Sequence, residues 1–165
     1  MDAKYWIETL GLEKHPEGGY FREIYRSDEH VIKSSLPNRY LSKRCFSTSI
    51  YYLLEGRDFS RFHRLQSDEI WHFYSGSAVN VYMLDHKRMT RYRVGPNPAK
   101  GHLPMLVIPR NTYFAADLDG ERSYSLVGCT VSPGFDFEDF EQPTRSELSH
   151  AYPEHLDLIR RLTRS

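Results

Sequence analysis

At 165 residues the chain is long enough for a single domain with a hydrophobic core, and we expect one domain over residues 1–165 with its core at about 15–140. Its 22 Lys and Arg balance 22 Asp and Glu, which argues against nucleic acid or an anionic membrane as the main partner. No segment approaches the roughly eighteen apolar residues of a membrane span, the N-terminus has no basic-then-apolar leader, and two Cys make no disulfide framework. These features predict a reduced, cytoplasmic protein.

The N-terminal region is predicted to form one helix and one strand. Asp2 can cap a helix over residues 3–10. A strand follows at 20–26, and simple alternation places Arg22 and Arg26 on one of its faces. Arginines there could serve an anionic ligand, and the alternative is a solvated strand face.

A polar loop over 27–44 separates this strand from a second one at 46–54. Ser49 and Tyr51 share one face of the second strand. A small hydroxyl beside a tyrosine can open space for a ligand and offer it a hydrogen bond. The alternative is a close contact between sheets, where only small side chains fit.

Residues 62–76 concentrate ionisable and aromatic side chains. His63 precedes a turn signal at 66–68, and Glu69 and Trp71 follow it. We expect a hairpin whose two strands bring His63 and Glu69 to one pocket, with Trp71 on the same side. The alternative is a hairpin with a solvated His and Glu, which the neighbouring aromatic residues disfavour.

Further strands and two helices are predicted beyond this stretch. The strands fall at 78–85, 89–94, 105–109 and 123–131. A capping box at Thr144 opens a short helix, and Pro153 can begin another. Six to nine short strands framed by terminal helices indicate an all-β sandwich or barrel.

One sequence motif carries a family resemblance. His63, Glu69 and Gly76 resemble the first motif of the cupin superfamily, Gly-x5-His-x-His-x3-4-Glu-x6-Gly. Gly56 precedes His63 by six intervening residues instead of five, and Leu65 stands where the second His belongs.

A second segment extends the resemblance. Pro109 to Phe114 is similar to the second cupin motif, Pro-x-Gly-x2-His, with Asn111 in place of Gly and Phe114 in place of His. The runs at 15–20 and 133–135 resemble the single-domain cupin_5 branch, whose members are mostly uncharacterised. The resemblance implies a double-stranded β-helix, or jelly roll, with short N- and C-terminal helices.

The two motif departures bear on metal binding. Metal-binding cupins usually supply two His and a Glu from the first motif and a His from the second. Because Leu65 and Phe114 occupy two of these positions, we predict no metal site and no cofactor. Two apolar residues would instead exclude water from the pocket. In such a pocket His63 and Glu69 could share or transfer a proton near neutral pH.

The resemblance also supplies a class of chemistry. Metal-free cupins of similar arrangement include nucleotide-sugar epimerases, which use a pocket His as base and a Tyr as acid. We therefore expect His63, Glu69 and Tyr51 to be catalytic, with Tyr74 and Tyr113 as other candidate acids. The residues expected to bind substrate are Arg22, Ser49, Trp71, Tyr74, Tyr113 and Phe114. The implied function is a metal-independent isomerase or epimerase acting on a carbohydrate-like or nucleotide-sugar substrate, and the alternative is a module that binds a small metabolite without chemistry.

The remaining expectations concern partners. A small-molecule ligand is predicted, with no nucleic acid and no membrane partner. A homodimer is expected because the strand at 20–26 lies at a sheet edge, with Phe21 and Tyr25 exposed unless they are covered. His72, three residues after Glu69, should face away from the pocket and have a structural role.

Overall fold

Short runs of β-branched and aromatic residues form twelve strands in the computed structural model, which describes residues 1–85 and 88–164. The strands are β1 Glu13–Lys14, β2 Tyr20–Arg26, β3 His30–Val31, β4 Arg44–Cys45, β5 Thr48–Glu55, β6 Ser60–His63, β7 Asp68–Gly76, β8 Val79–Asp85, β9 Arg88–Val94, β10 Met105–Ile108, β11 Tyr113–Leu118 and β12 Tyr124–Ser132. The α-helices are α1 Ala3–Leu10, α2 Arg145–Ala151 and α3 Leu156–Arg161. Short 3-10 turns lie at Lys33–Ser35, Pro98–Lys100, Phe137–Asp139 and Pro153–His155.

Two antiparallel sheets face each other as a jelly-roll sandwich. One sheet has six strands in the order β1-β2-β5-β12-β7-β10, and the other has four in the order β6-β11-β8-β9. A two-stranded ribbon of β3 and β4 completes the strands of the described residues. The predicted all-β fold with short terminal helices is confirmed.

Three apolar layers hold the sandwich together. The inner layer joins the facing sides of the two sheets and includes Trp71 and Val127 from one sheet with Val81 and Phe114 from the other. The outer face of the four-stranded sheet is covered by α2 and α3, and α1 packs on the six-stranded sheet around Leu53. The inner face therefore offers a dry, ring-rich interior in which polar groups are strongly perturbed.

The hairpin predicted over 62–76 is wrong. β6 pairs with β11 in the four-stranded sheet, whereas β7 pairs with β10 and β12 in the six-stranded sheet. The turn residues reverse the chain, but they carry it from one sheet to the other. His63 and Glu69 consequently come from opposite walls of the sandwich.

The segment at 27–44, predicted as a polar loop, is anchored by buried side chains. Tyr40 and Arg44 are 0% and 1% exposed. Arg44 donates two hydrogen bonds of 2.7 Å to the carboxylate of Asp139, one to each oxygen. This buried ion pair ties β4 to the 3-10 turn at Phe137–Asp139.

No helix among the described residues is long and apolar enough to cross a bilayer. Cys45 and Cys129 are both buried and form no disulfide.

Candidate functional site

A cavity of about 360 Å³ lies against the inner face of the six-stranded sheet, with β6 on its other side. Rings and aliphatic side chains form much of its wall, and ionisable groups are set among them. Its lining residues are His15, Pro16, Glu17, Phe21, Glu23, Arg26, Thr48, Ile50, Tyr52, Ser60, His63, Leu65, Glu69, Trp71, Cys129, Val131, Phe135, Asp136, Phe137 and Phe140.

A β-bulge in β6 turns His63 into this cavity. Phe114 pairs with His63 and Ala116 with Ser60, so three steps along β6 oppose two along β11. The His63 ring packs on Phe114 with 4.1 Å between ring centroids. Its Nδ1 lies 2.7 Å from the carbonyl oxygen of Arg61, which can only accept, so Nδ1 carries the hydrogen and Nε2 is the free acceptor. Burial lowers the pKa of His63 to about 4, which keeps the ring neutral at pH 7.

Glu69 is held on the opposite wall by its neighbour on the same face of β7. The indole Nε1 of Trp71 donates a 2.9 Å hydrogen bond to Glu69 Oε1. Burial raises the pKa of Glu69 to about 7, against the opposing effect of hydrogen bonds from Trp71 and Cys129. At neutral pH this carboxyl group is therefore divided between its acid and carboxylate forms.

A second buried carboxyl group, Glu17, lies beside His63. Its Oε2 is 3.4 Å from Nδ1 of His63 and 3.8 Å from Nδ1 of His15. Burial and the charge of Glu69 raise the pKa of Glu17 well above its usual range. The pKa of His15 is lowered to about 4 by burial and by Arg61, so both imidazoles are neutral at pH 7.

The mouth of the cavity combines an ion pair with exposed rings. Arg26 donates to both carboxylate oxygens of Glu23 at 2.8–2.9 Å and to the carbonyl oxygen of Phe135 at 3.1 Å. Phe137 is 72% exposed although it lines the cavity. A ligand entering here meets an aromatic rim before it reaches the buried carboxyl groups.

The structure brings three of the predicted site residues together and places the other six elsewhere. His63, Glu69 and Trp71 line the cavity, and the catalytic roles assigned to them stay predictions. His72 is not among the lining residues; it pairs with Gly128 on β12 and points to the outer face, as predicted.

Tyr51, Ser49 and Tyr74 lie on the outer face of the six-stranded sheet, so the prediction that they line the pocket is wrong. Tyr51 packs edge-on against Tyr74 with 6.0 Å between centroids. The hydroxyl of Ser49 is hydrogen-bonded to that of Thr130 at 3.1 Å. Alternation along β5 was assigned to the wrong side, and Tyr52 is the tyrosine in the cavity.

Arg22 is also outside the cavity. Its Nη1 donates a 2.9 Å hydrogen bond to the carbonyl oxygen of Leu10 at the end of α1. A bulge between Glu23 and Tyr25 interrupts the alternation of β2, so Arg26 lines the cavity instead. The prediction that both arginines share one face is therefore wrong, since Arg26 lines the cavity and Arg22 does not.

Tyr113 and Phe114 are the last two predicted site residues that lie outside the cavity. The hydroxyl of Tyr113 donates to Glu141 on the protein surface, away from the cavity. Phe114 is 1% exposed and lies behind His63 in the inner core, where it supports the imidazole and does not line the cavity wall.

The side chains present do not fit a metal ion. Within residues 1–85 and 88–164, no group of three or more His, Cys, Asp or Glu side chains is arranged to hold one. Leu65 and Phe114 occupy the two remaining ligand positions of the motifs and are buried and apolar. Glu69 Oε1 is engaged by the Trp71 indole.

Sequence reasoning missed Glu17, Tyr52 and Cys129. Glu17 had a local signal, because it precedes adjacent glycines in a turn that leads into β2. The bulge that separates Arg26 from Arg22 had no such signal, since a bulge is set by the partner strand and leaves no trace in hydrophobic alternation.

Comparison with known proteins agrees with this architecture. Residues 4–142 match the family model described as Cupin superfamily (DUF985). The uncharacterized protein YML079W of Saccharomyces cerevisiae is 31% identical over 142 residues, which are 81% of this chain and 71% of that protein. A hypothetical protein from Leishmania major has 32% identity and a TM-score of 0.88, covering 100% of both chains. Protein SO0799 from Shewanella oneidensis has 36% identity and a TM-score of 0.87, covering 99% of this chain and 98% of that one.

A more distant likeness concerns the fold alone. Oxalate decarboxylase from Bacillus subtilis superimposes with a TM-score of 0.54 at 16% identity, covering 90% of this chain and 36% of that one.

Proposed function

The chain belongs to the cupin superfamily, in the family DUF985, and on that premise we propose that its cavity is the active site of a metal-independent isomerase or epimerase of small carbohydrate-like molecules. One observation carries the proposal. Glu69 and His63 reach the same buried cavity from opposite sheets, and the pKa of Glu69 is about 7. A carboxyl group with that pKa can both accept and return a proton at neutral pH.

The two groups suit the two proton movements of a sugar isomerisation. Glu69 in its carboxylate form accepts a proton from carbon, and in its acid form it returns that proton to the neighbouring carbon. Neutral His63 offers Nε2 as an acceptor for a substrate hydroxyl on the other wall. Groups on facing walls can act on both sides of a substrate held between them.

The cavity wall is compatible with a small polyol. The ring faces of Phe21, Trp71 and Phe137 can stack on the C–H face of a sugar. Carboxyl oxygens of Glu23 and Asp136 near the mouth can accept hydrogen bonds from hydroxyl groups. A volume of about 360 Å³ lies in the range of small-molecule sites.

The test is exchange of a carbon-bound proton with solvent. The protein is incubated in D2O at pD near neutrality with a panel of aldoses, ketoses and nucleotide sugars, and NMR follows loss of the proton on the carbon α to the carbonyl. The proposal expects exchange with at least one member. Binding of sugars without exchange would instead favour a module that holds a small metabolite and does no chemistry.

A further inference from the structure

The segment His15–Gly19 carries a buried group that the proposed chemistry does not yet use. Glu17 is 5% exposed, and it lines the same cavity as Glu69. Its Oε1 has no hydrogen-bond partner among the residues that the structure describes. An unpaired buried carboxyl oxygen is costly unless a ligand or a proton satisfies it.

The geometry indicates which oxygen of Glu17 holds the proton. Oε2 lies 3.4 Å from Nδ1 of His63, and that nitrogen already carries a hydrogen because it donates to the carbonyl oxygen of Arg61. That hydrogen is directed at Arg61, and Nδ1 of His15, 3.8 Å from Oε2, accepts from the backbone N–H of Glu17, so neither imidazole donates to the Glu17 carboxyl group. A carboxylate without donors is unfavourable here, so the group is a neutral acid. Oε1 is closed to solvent, so the acid hydrogen can reach a ligand only from Oε2.

The backbone fixes Glu17 in place before any ligand arrives. Its carbonyl oxygen accepts a 3.3 Å hydrogen bond from the N–H of Arg61 on β6, and Gly18 O accepts one of 2.8 Å from the hydroxyl of Tyr52. Gly18 has φ 116°, and a Cβ there would lie 2.0 Å from the carbonyl oxygen of Phe59. Two different sheets thus hold this turn, and the donor position is preorganised.

We propose that Glu17 is a neutral carboxylic acid that donates a hydrogen bond from Oε2 to a carbonyl oxygen of the substrate, and that the substrate is a carbonyl compound whose α C–H faces Glu69. This inference rests on the proposed function and deepens it by naming the electrophilic partner. The shift of the Glu17 pKa agrees with it, because burial and the Glu69 charge both favour the neutral acid.

The proton step balances without any further reactant. The carboxylate of Glu69 removes the α proton: the C–H bond breaks and an O–H bond forms on Glu69. The electron pair of that bond becomes the C=C bond of an enolate, and the carbonyl π pair moves to oxygen. The Glu17 hydrogen bond strengthens as negative charge collects there. Return of the proton from Glu69 to the α carbon restores the starting carbonyl compound. Return to the former carbonyl carbon gives the isomer when the α-hydroxyl proton is transferred to the former carbonyl oxygen, with Nε2 of His63 as the group that carries it.

The first arm of the test measures binding and needs no turnover. The probe is 4-nitrophenolate at pH 8, because its negatively charged oxygen resembles that of the enolate. It is bound to the Glu69→Gln variant, because the neutral glutamine resembles Glu69 after it has taken the α proton. Adding Glu17→Leu should weaken binding by about 10- to 100-fold, the scale of one charge-assisted hydrogen bond. Adding Glu17→Gln, which keeps an N–H donor, should weaken it by less than about threefold. Equal affinity with and without Glu17→Leu would overturn the proposal.

The second arm measures exchange in D2O, in which Glu17→Leu should lower the rate by about 10- to 100-fold and Glu17→Gln should restore most of it. Exchange that requires Glu69 but is unchanged in Glu17→Leu would overturn this inference and leave the proposed function standing. If wild type catalyses no exchange, the proposed function fails, and the binding arm alone decides the role of Glu17. Thermal unfolding verifies that each variant folds, and Glu17→Met replaces Glu17→Leu if the latter does not.

Discussion

The indole N–H of Trp71 donates a 2.9 Å hydrogen bond to Oε1 of Glu69, two residues earlier on the same strand and on the same face of the sheet. The bond favours the carboxylate form, whereas burial favours the acid, and the two together leave the pKa of Glu69 at about 7. The interaction also fixes the direction of the carboxyl group. Trp71 is thus a positioning residue for the proton acceptor.

Replacing Trp71 by Phe should raise the pKa of Glu69 further, because the donor is lost and burial remains. The rise of exchange activity with pH, which follows formation of the Glu69 carboxylate, should move to higher pH than in wild type. Tyr52→Phe is the matched control: it removes a hydroxyl from the same cavity that bonds to Gly18 and not to Glu69. A pH–rate profile of Trp71→Phe that superimposes on wild type would contradict this role.

Loss of either proposed proton-transfer group should slow exchange strongly. We expect Glu69→Gln and His63→Gln each to lower the rate by about 10²–10⁴, the usual scale for a general acid or base. Both variants should fold, which circular dichroism can verify. His72→Gln makes the same change on the outer face of β7 and should leave the rate per folded molecule within about twofold of wild type. A rate in Glu69→Gln close to that of wild type would contradict the proposed function.

The buried Glu69 also makes stability depend on pH. Its pKa is 4.5 in an ordinary setting and about 7 in the folded protein, so between these values the folded state binds more protons than the unfolded state. The contribution to the free energy of unfolding is fully present below pH 4.5 and is lost as pH rises through about 7. The loss is on the order of 3 kcal/mol.

Urea denaturation of wild type and Glu69→Gln at several pH values measures this contribution together with the coupling to Glu17, whose pKa the Glu69 charge raises. The same comparison in a Glu17→Gln background removes the coupling. As pH rises from 4.5 to 7, the unfolding free energy of wild type should fall relative to that of Glu69→Gln. A difference that stays constant over this range would mean that the folded pKa of Glu69 is ordinary.

Removing one partner of the buried Arg44–Asp139 ion pair should lower the stability of the protein strongly. Arg44→Met leaves the Asp139 carboxylate buried without its partner and should cost about 3–5 kcal/mol of unfolding free energy. Arg44→Met with Asp139→Leu should recover most of that loss. Arg26→Met, which breaks the exposed pair with Glu23, should cost only about 0–1 kcal/mol. Urea denaturation measures all three, and a loss below about 1 kcal/mol for Arg44→Met would contradict the prediction.

A homodimer remains our expectation, and β2 offers a place for it. Among the described strands, β1 pairs only with Tyr20 and Phe21, so the rest of this edge lacks a strand neighbour. Tyr25 is 53% exposed there. Light scattering should give about twice the chain mass of 19.5 kDa. Tyr25→Asp should shift the mass toward the monomer, whereas Met105→Asp on the opposite edge should not. A wild-type mass of one chain would refute the expectation.

The elements of the fold could be predicted from local patterns, whereas the lining of the cavity could not. Asp2 caps α1 as expected, and Asn111, at the glycine position of the second motif, adopts a left-handed φ of 62°. Most of the longer strands were predicted from runs of strand-forming residues, but β11 and the two-residue strands β1, β3 and β4 were not. Alternation does not reveal which face is inside, and it fails where a bulge inserts a residue, as before His63.

Because of the bulge in β2, one residue can be deleted at this point of the strand without changing the register of its pairing with β5. Glu23 pairs with Ile50 and Tyr25 pairs with the adjacent Ser49. Ile24 is therefore the extra residue. A deletion at 24 or 25 would keep the register on either side and leave Arg26 opposite Thr48. A deletion at Phe21 would instead turn part of the strand inside out. In homologues with a shorter strand here, an alignment gap therefore belongs at 24 or 25. A gap placed in the flanking turn would match the wrong residue to Arg26.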